Sequence, residues 1–127
     1  MSASNYLELK LLDHSLGTTA YTQPSNVYIG LHTTSALDAG SGTELSGSGY
    51  ARQAITFAAA SSGSASSNST VTFPTATGSW GTVSHWSLWD ASSSGNLLFH
   101  GSFAASKDIA TGDVLKVSSG DITISVD

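Results

Sequence analysis

PSNVYIGLH, residues 24–32, is the stretch in which the chain shows its class. After Pro24, Val27, Ile29 and Leu31 alternate with Tyr28, Gly30 and His32. That two-residue period marks a β-strand, because successive side chains point to opposite faces of a sheet. The same spacing resumes at Tyr50–Phe57 (YARQAITF), which sets Ala54 and Thr56 on one face and Ile55 and Phe57 on the other. Further strands are expected at Thr70–Phe73, Thr82–Trp89, Leu97–Phe103, Val114–Val117 and Ile122–Val126. Turn chemistry separates them: Ser94-Gly95-Asn96, Thr111-Gly112-Asp113 and Ser119-Gly120-Asp121. The Gly-rich Asp38–Gly49 reads as a flexible loop, and the Ser/Gly stretch at 60–69 as a turn. Seven strands with regular punctuation predict a mainly β domain, an antiparallel β-sandwich or jelly roll.

Upstream of this β-rich portion (26–127), the pattern changes to a helical one. Asn5 followed three residues later by Glu8 has the form of a capping box, and Gly17 stands where a helix would stop. One helix is therefore expected over 5–16. Leu9, Leu12 and Leu16 share a face at 3-4 spacing with Leu7 and Leu11 beside them, while Glu8, Lys10 and Asp13 occupy the remaining arc. Such a stripe calls for a partner. The plain reading packs it over the open end of the sheet, the alternative docks it on another protein, and Leu12→Asp would unfold or disassemble the protein.

At 127 residues, with no fixed-period repeat and no charged tail, the chain is expected to be one domain spanning 1–127. Charged residues are only 10%, against about 25% in an average soluble protein. Four Lys/Arg against nine Asp/Glu give a formal charge of -5. A phosphate backbone is repelled by that balance, so no nucleic-acid partner is expected. No cysteine is present, which excludes disulfides and thiolate metal sites and leaves the core, or assembly with further copies, as the source of stability. The first residues lack a basic segment followed by an apolar run, and no long apolar stretch occurs, so neither an export signal nor a membrane association is expected.

Catalytic patterns are missing from the sequence. Neither GxGxxG nor GxxxxGK[ST] occurs, no serine stands in G-x-S-x-G, and no lysine follows a serine at S-x-x-K spacing. His14, His32, His85 and His100 are scattered without the paired spacing of metal ligands. Glu8 reads as a capping residue, Glu44 as a loop residue and most aspartates as turn formers, which gives each carboxylate a structural reason. The expectation is therefore no enzyme, no metal and no cofactor. Single substitutions of a histidine or of Glu44 are expected to change little.

The densest chemical feature is SWGTVSHWSLWD, residues 79–90, where Trp80, Trp86 and Trp89 accompany His85. In a strand, Trp86 and Trp89 point to opposite sides, so one is expected in the core and the other at a partner or subunit contact. Aromatic residues are enriched in interface cores and charged ones depleted there. Trp80, Trp86 and Trp89, together with Leu9, Leu12 and Leu16, are thus the candidate interface residues.

An ordered series of blocks carries a resemblance: NYLE at 5–8, LLDH at 11–14, GTELSGSGYAR at 42–52, VTFP at 71–74, WGTVSHW at 80–86, GNLLFHG at 95–101, GD at 112–113 and GDITISVD at 120–127. The series resembles a family of small tailed-bacteriophage virion proteins over essentially the whole chain. That resemblance implies a tail-fibre or other structural role in the phage particle, synthesis in the host cytoplasm, no catalytic residues, and partners among the other virion proteins. Combined with the low charge and the Ser/Thr/Gly richness, it suggests a homo-oligomeric capsid decoration or cement protein seated on the major capsid protein. The alternative is a tail-fibre or tail-adaptor component touching host glycan or other tail proteins.

Overall fold

In the computed structural model, which describes residues 1–126, the strand at the heart of the sequence argument forms as β2, Val27–His32. Asp127, at the end of the expected domain, lies outside the described residues. The elements run β1 (Ser2–Ala3), α1 (Asn5–Ser15), β2, β3 (Gln53–Ile55), β4 (Ser64–Ser66), β5 (Val71–Thr72), β6 (Gly81–Trp89), β7 (Leu97–Ile109), β8 (Lys116–Val117) and β9 (Thr123–Ser125). The result is a mostly β fold with one N-terminal helix. Five strands make one sheet in the order β1-β7-β6-β2-β3, every neighbour antiparallel. Two small ribbons, β4-β9 and β5-β8, stand apart from it.

Register explains how one sheet carries two kinds of surface. Ile29 faces Leu88 and Leu31 faces Trp86 across the β2-β6 ladder, and all four point into the main core. The intervening pairs, Gly30 with Ser87 and His32 with His85, point the other way. Both sides of β2 are covered, since Ile29, Leu31 and His32 all have no exposure. The core is completed from the ribbons and their flanks by Val71, Phe73, Leu115, Val117, Ile122 and Ile124. Trp86 lies against Gly101, its register partner on β7, where an added Cβ would come 2.6 Å from the indole ring. Only glycine leaves room there for the indole.

Several expected boundaries shift. The turn assigned to 60–69 contains β4, which pairs Ala65 with Ile124 on β9. β7 runs on through Ser106, Lys107 and Asp108 to Ile109. Among the described residues, β7 has a strand partner on its outer side only at Phe99 and His100, opposite β1. The two aspartate turns form as expected. Asp113 N–H donates to the Ala110 carbonyl while its carboxylate accepts from Ala110 N–H, and Asp121 repeats the arrangement with Ser118.

The helix is the main correction. Its N-cap is Ser4, not Asn5: the Ser4 Oγ accepts from Leu7 N–H at 3.1 Å and donates to the Leu97 carbonyl. Ser4 N–H donates to Leu98 and Asn5 N–H to Asp38. At about 100° per residue, Leu7 stands on the side opposite Leu9, Leu12 and Leu16. Leu7 is the side chain that is buried. Leu9, Leu12 and Leu16 are 65%, 56% and 75% exposed, so the stripe expected to cover the sheet faces outward instead. The helix is held at its N-terminal end, where the hydrogen bonds are, and its leucine stripe is left free. Leu12→Asp is therefore not expected to unfold the protein.

Candidate functional site: a buried polar network and an exposed leucine ridge

The residues singled out by sequence fall in separate places. Trp80 and Trp86 lie in the main core, 6% and 4% exposed. Trp80 donates its indole N–H to the Ser48 carbonyl at 2.9 Å and meets Tyr50 edge-on at 5.6 Å. Trp89 is 9% exposed on the opposite face of the sheet, beside Ala36 and Leu97. The opposition of Trp86 and Trp89 is as expected. Both sides are nonetheless covered by the chain itself, and of the six candidate interface residues the exposed ones are Leu9 and Leu12 on α1 and Leu16 at its C-cap.

Behind Trp89 lies a cluster that sequence reasoning did not assemble. Arg52 packs its guanidinium over the Trp89 ring at 3.9 Å. Its Nε and Nη2 donate to Glu44 at 2.8–3.1 Å, and Nη1 donates to the carbonyls of Ala91 and Ser94. The Tyr50 hydroxyl donates to the same Glu44 carboxylate and accepts from Leu31 N–H at 3.0 Å. Leu45 N–H donates to the Leu31 carbonyl. The segment 44–52 thereby closes the margin of β2 that β3, ending its pairing at Ile29, leaves open. Glu44 is not a loop carboxylate free to be changed. Its charge is committed to Arg52, whose side chain is only 8% exposed.

A second chain of hydrogen bonds has a defined direction. His32 Nδ1 faces the Thr43 carbonyl at 3.0 Å, and a carbonyl only accepts, so Nδ1 carries the proton. Nε2 is then the acceptor for Ser87 Oγ–H at 2.7 Å, and Ser87 Oγ accepts from Trp89 Nε1–H at 2.6 Å. Burial pushes the His32 pKa down, against the opposing pull of the Thr43 hydrogen bond and the Glu44 charge. Burial also raises the Tyr50 pKa, reinforced by Glu44. Gly30 makes this packing possible, because a Cβ there would sit 2.8 Å from both Glu44 Oε2 and Ser87 Oγ.

Ser87 and His32 stand at the distance of a nucleophile and its base, yet the pair is not a catalytic one. Both have zero exposure, so no substrate reaches the hydroxyl. The histidine is held by a peptide carbonyl, which cannot stabilise an imidazolium as a carboxylate does. The network is a structural tie between β2, β6 and the 43–52 segment. The remaining histidines have other partners: His14 accepts from Tyr21 N–H, His85 meets Ser84, and His100 bonds the distant Asp38 at 2.6 Å, which lowers the pKa of that exposed carboxylate. Among the described residues, no group of three or more His, Asp or Glu side chains is placed to hold a metal ion.

The signal for this network lay in the GTELSGSGYAR block, which supplies Glu44, Tyr50 and Arg52. Its partners on β2 and β6 are distant in sequence, and spacing could not have found them. Among the described residues, no helix is long and apolar enough to cross a membrane. No curated protein matches the chain. A family model described as "Podophage GP4 fiber I protein gp80" matches residues 2–125. With that extent of match, the chain belongs to this family, a fibre-type family of non-enzymatic phage structural proteins.

Proposed function

We propose that the chain is a tail-fibre component of a tailed-phage particle, acting through surface contacts with other virion proteins. The family match over residues 2–125, with its description as a fibre protein, carries this reading. Head decoration, suggested by composition and by the Ser/Thr/Gly content, is not what that description names. We read residues 1–127 as one virion structural domain, a sandwich whose second layer is divided between the β4-β9 and β5-β8 ribbons. Leu9, Leu12 and Leu16 are the contact residues in this reading. Trp80, Trp86 and Trp89 stand behind the contact surfaces as the core that holds them in place.

Quantitative mass spectrometry of purified particles tests the proposal. A fibre component occurs in multiples of about three or six per tail, whereas a head decoration protein reaches roughly hundreds per particle. Antibody labelling seen by electron microscopy should decorate the tail. Labelling spread over the head, with the higher copy number, would reverse the assignment.

A further inference from the structure

The leucine ridge of α1 has a charge pattern as well as an apolar stripe. Glu8 and Asp13 flank Leu9, Leu12 and Leu16 on either side, and all five are exposed. Lys10, the one cation of the helix, is turned toward the Tyr6 ring, 5.7 Å from its centre. The ridge thus presents apolar knobs between two acidic borders. A second ridge of the same kind does not suit it, because helix-to-helix pairing would oppose carboxylate to carboxylate.

Elsewhere the chain carries a surface of the opposite kind. Toward the C-terminal end of β7 lies an open groove of about 200 Å³, floored by Val83 and Leu115, walled by Phe103 and rimmed by Lys107, Lys116 and Asp121. The chain has four Lys/Arg in all, and Arg52 is buried against Glu44 while Lys10 lies on the helix itself. The two remaining cations, Lys107 and Lys116, both stand exposed at this one groove. Asp121 partly offsets them, although its carboxylate is engaged by Ser118 N–H in the turn. A larger apolar groove, between Val27, Phe57, Leu98 and Ile124, has no charged residue in its lining and so offers nothing for Glu8 and Asp13 to meet.

We infer that copies of this chain assemble head to tail, the Leu9–Leu12–Leu16 ridge of one copy seating in the Lys107/Lys116 groove of the next. Within a single copy the ridge stays exposed and the groove stays open, so the two meet only between copies. The contact is heterologous: each copy offers a ridge to one neighbour and a groove to the other, an arrangement that closes into a ring or continues as a filament. The ordering of copies along a fibre rests on the fibre reading above, but the contact itself does not require it.

The test uses the purified full-length chain and two charge-reversed variants. One is Glu8→Lys with Asp13→Lys, the other Lys107→Glu with Lys116→Glu; all four side chains are exposed, and circular dichroism verifies that each variant is folded. By sedimentation velocity, the parent should self-associate, more weakly at high salt. Each variant alone should associate at least about tenfold more weakly, since like charges now face each other across the contact. An equimolar mixture should recover association, because every ridge again finds an oppositely charged groove. A parent that stays monomeric, a groove variant that associates like the parent, or a mixture that fails to recover would each overturn the inference. These outcomes are separate from the position of the protein in the particle, which copy number and labelling decide.

Discussion

Helix α1 and strand β6 each carry several large apolar side chains, and these end in opposite environments. β6 carries Val83, Trp86, Leu88 and Trp89, all buried, with the main core on one face and the Arg52 network on the other. α1 carries four leucines, with a fifth, Leu16, at its C-cap, and buries one. A strand in mid-sheet has neighbours on both flanks and both faces, so apolar residues on it are covered by the chain itself. A helix held at one end offers a choice of face, and the choice here went to Leu7. Apolar residues therefore mark the core in one element and an exposed surface in the other.

The widest separation between the two is expected from Trp86→Ala. Removing the indole opposite Gly101 leaves a cavity in the main core, and stability to denaturant should fall by about 3–5 kcal/mol. A loss below 1 kcal/mol would show that β6 is not the packed centre described above.

Next comes the polar side of the same sheet. Arg52→Ala removes the cation from a carboxylate that also bonds Tyr50, uncovers Trp89 and frees two loop carbonyls. Breaking a buried pair by deleting one partner costs about 3 kcal/mol. Unfolding midpoints in urea should drop accordingly, for Arg52→Ala and in the same direction for Glu44→Ala. Midpoints near the parent would return Glu44 to the role of a loop residue.

A smaller effect should appear with pH. The folded His32 has a pKa below its unfolded value of about 6.5, so the unfolded chain takes up the proton first as pH falls. The stability contributed by the neutral, buried ring is complete above about pH 6.5 and is lost as pH drops through and below it, with a slope of at most about 1.4 kcal/mol per pH unit. Thermal melts of the parent and His32→Gln between pH 7.5 and 5 should show the parent losing stability more steeply. Parallel curves would mean that the imidazole is as free to protonate in the fold as out of it.

The smallest effect belongs to the helix. Leu12→Ser should leave stability within about 0.5 kcal/mol of the parent, since the side chain is already 56% exposed. A large loss of stability would erase the contrast with β6.

Much of this was legible from residues whose signal is local. β2 and β6 were readable because Ile29, Leu31, Trp86 and Leu88 alternate along their own strands, and the turns because Asp113 and Asp121 close them within four residues. α1 was readable as a helix, with its cap misplaced by one residue, but periodicity only tells which leucines share a face. It does not tell whether that face meets the chain's own core. β4 escaped because Ser64, Ala65 and Ser66 have no alternation to read, and the last part of β7 because Ala104, Ala105, Ser106 and Lys107 do not mark a buried face. The Arg52–Trp89 and His32–Ser87 ties were illegible for a different reason: they join residues far apart in sequence, and only the folded sheet places them together.

The tie from Ser4 to Leu97 has a consequence in time. Helix α1 is made before β7, and its anchor lies 93 residues later in the chain. At about 5–20 residues per second, roughly 5–20 s pass before Leu97 exists to receive Ser4. During that interval α1 can be helical, but nothing on β7 fixes its direction. The leucines acquire a set orientation only once β7 has been synthesised and folded against β6. A fixed direction for the ridge is thus a property of a chain in which β7 has already been made and folded, not of the helix alone.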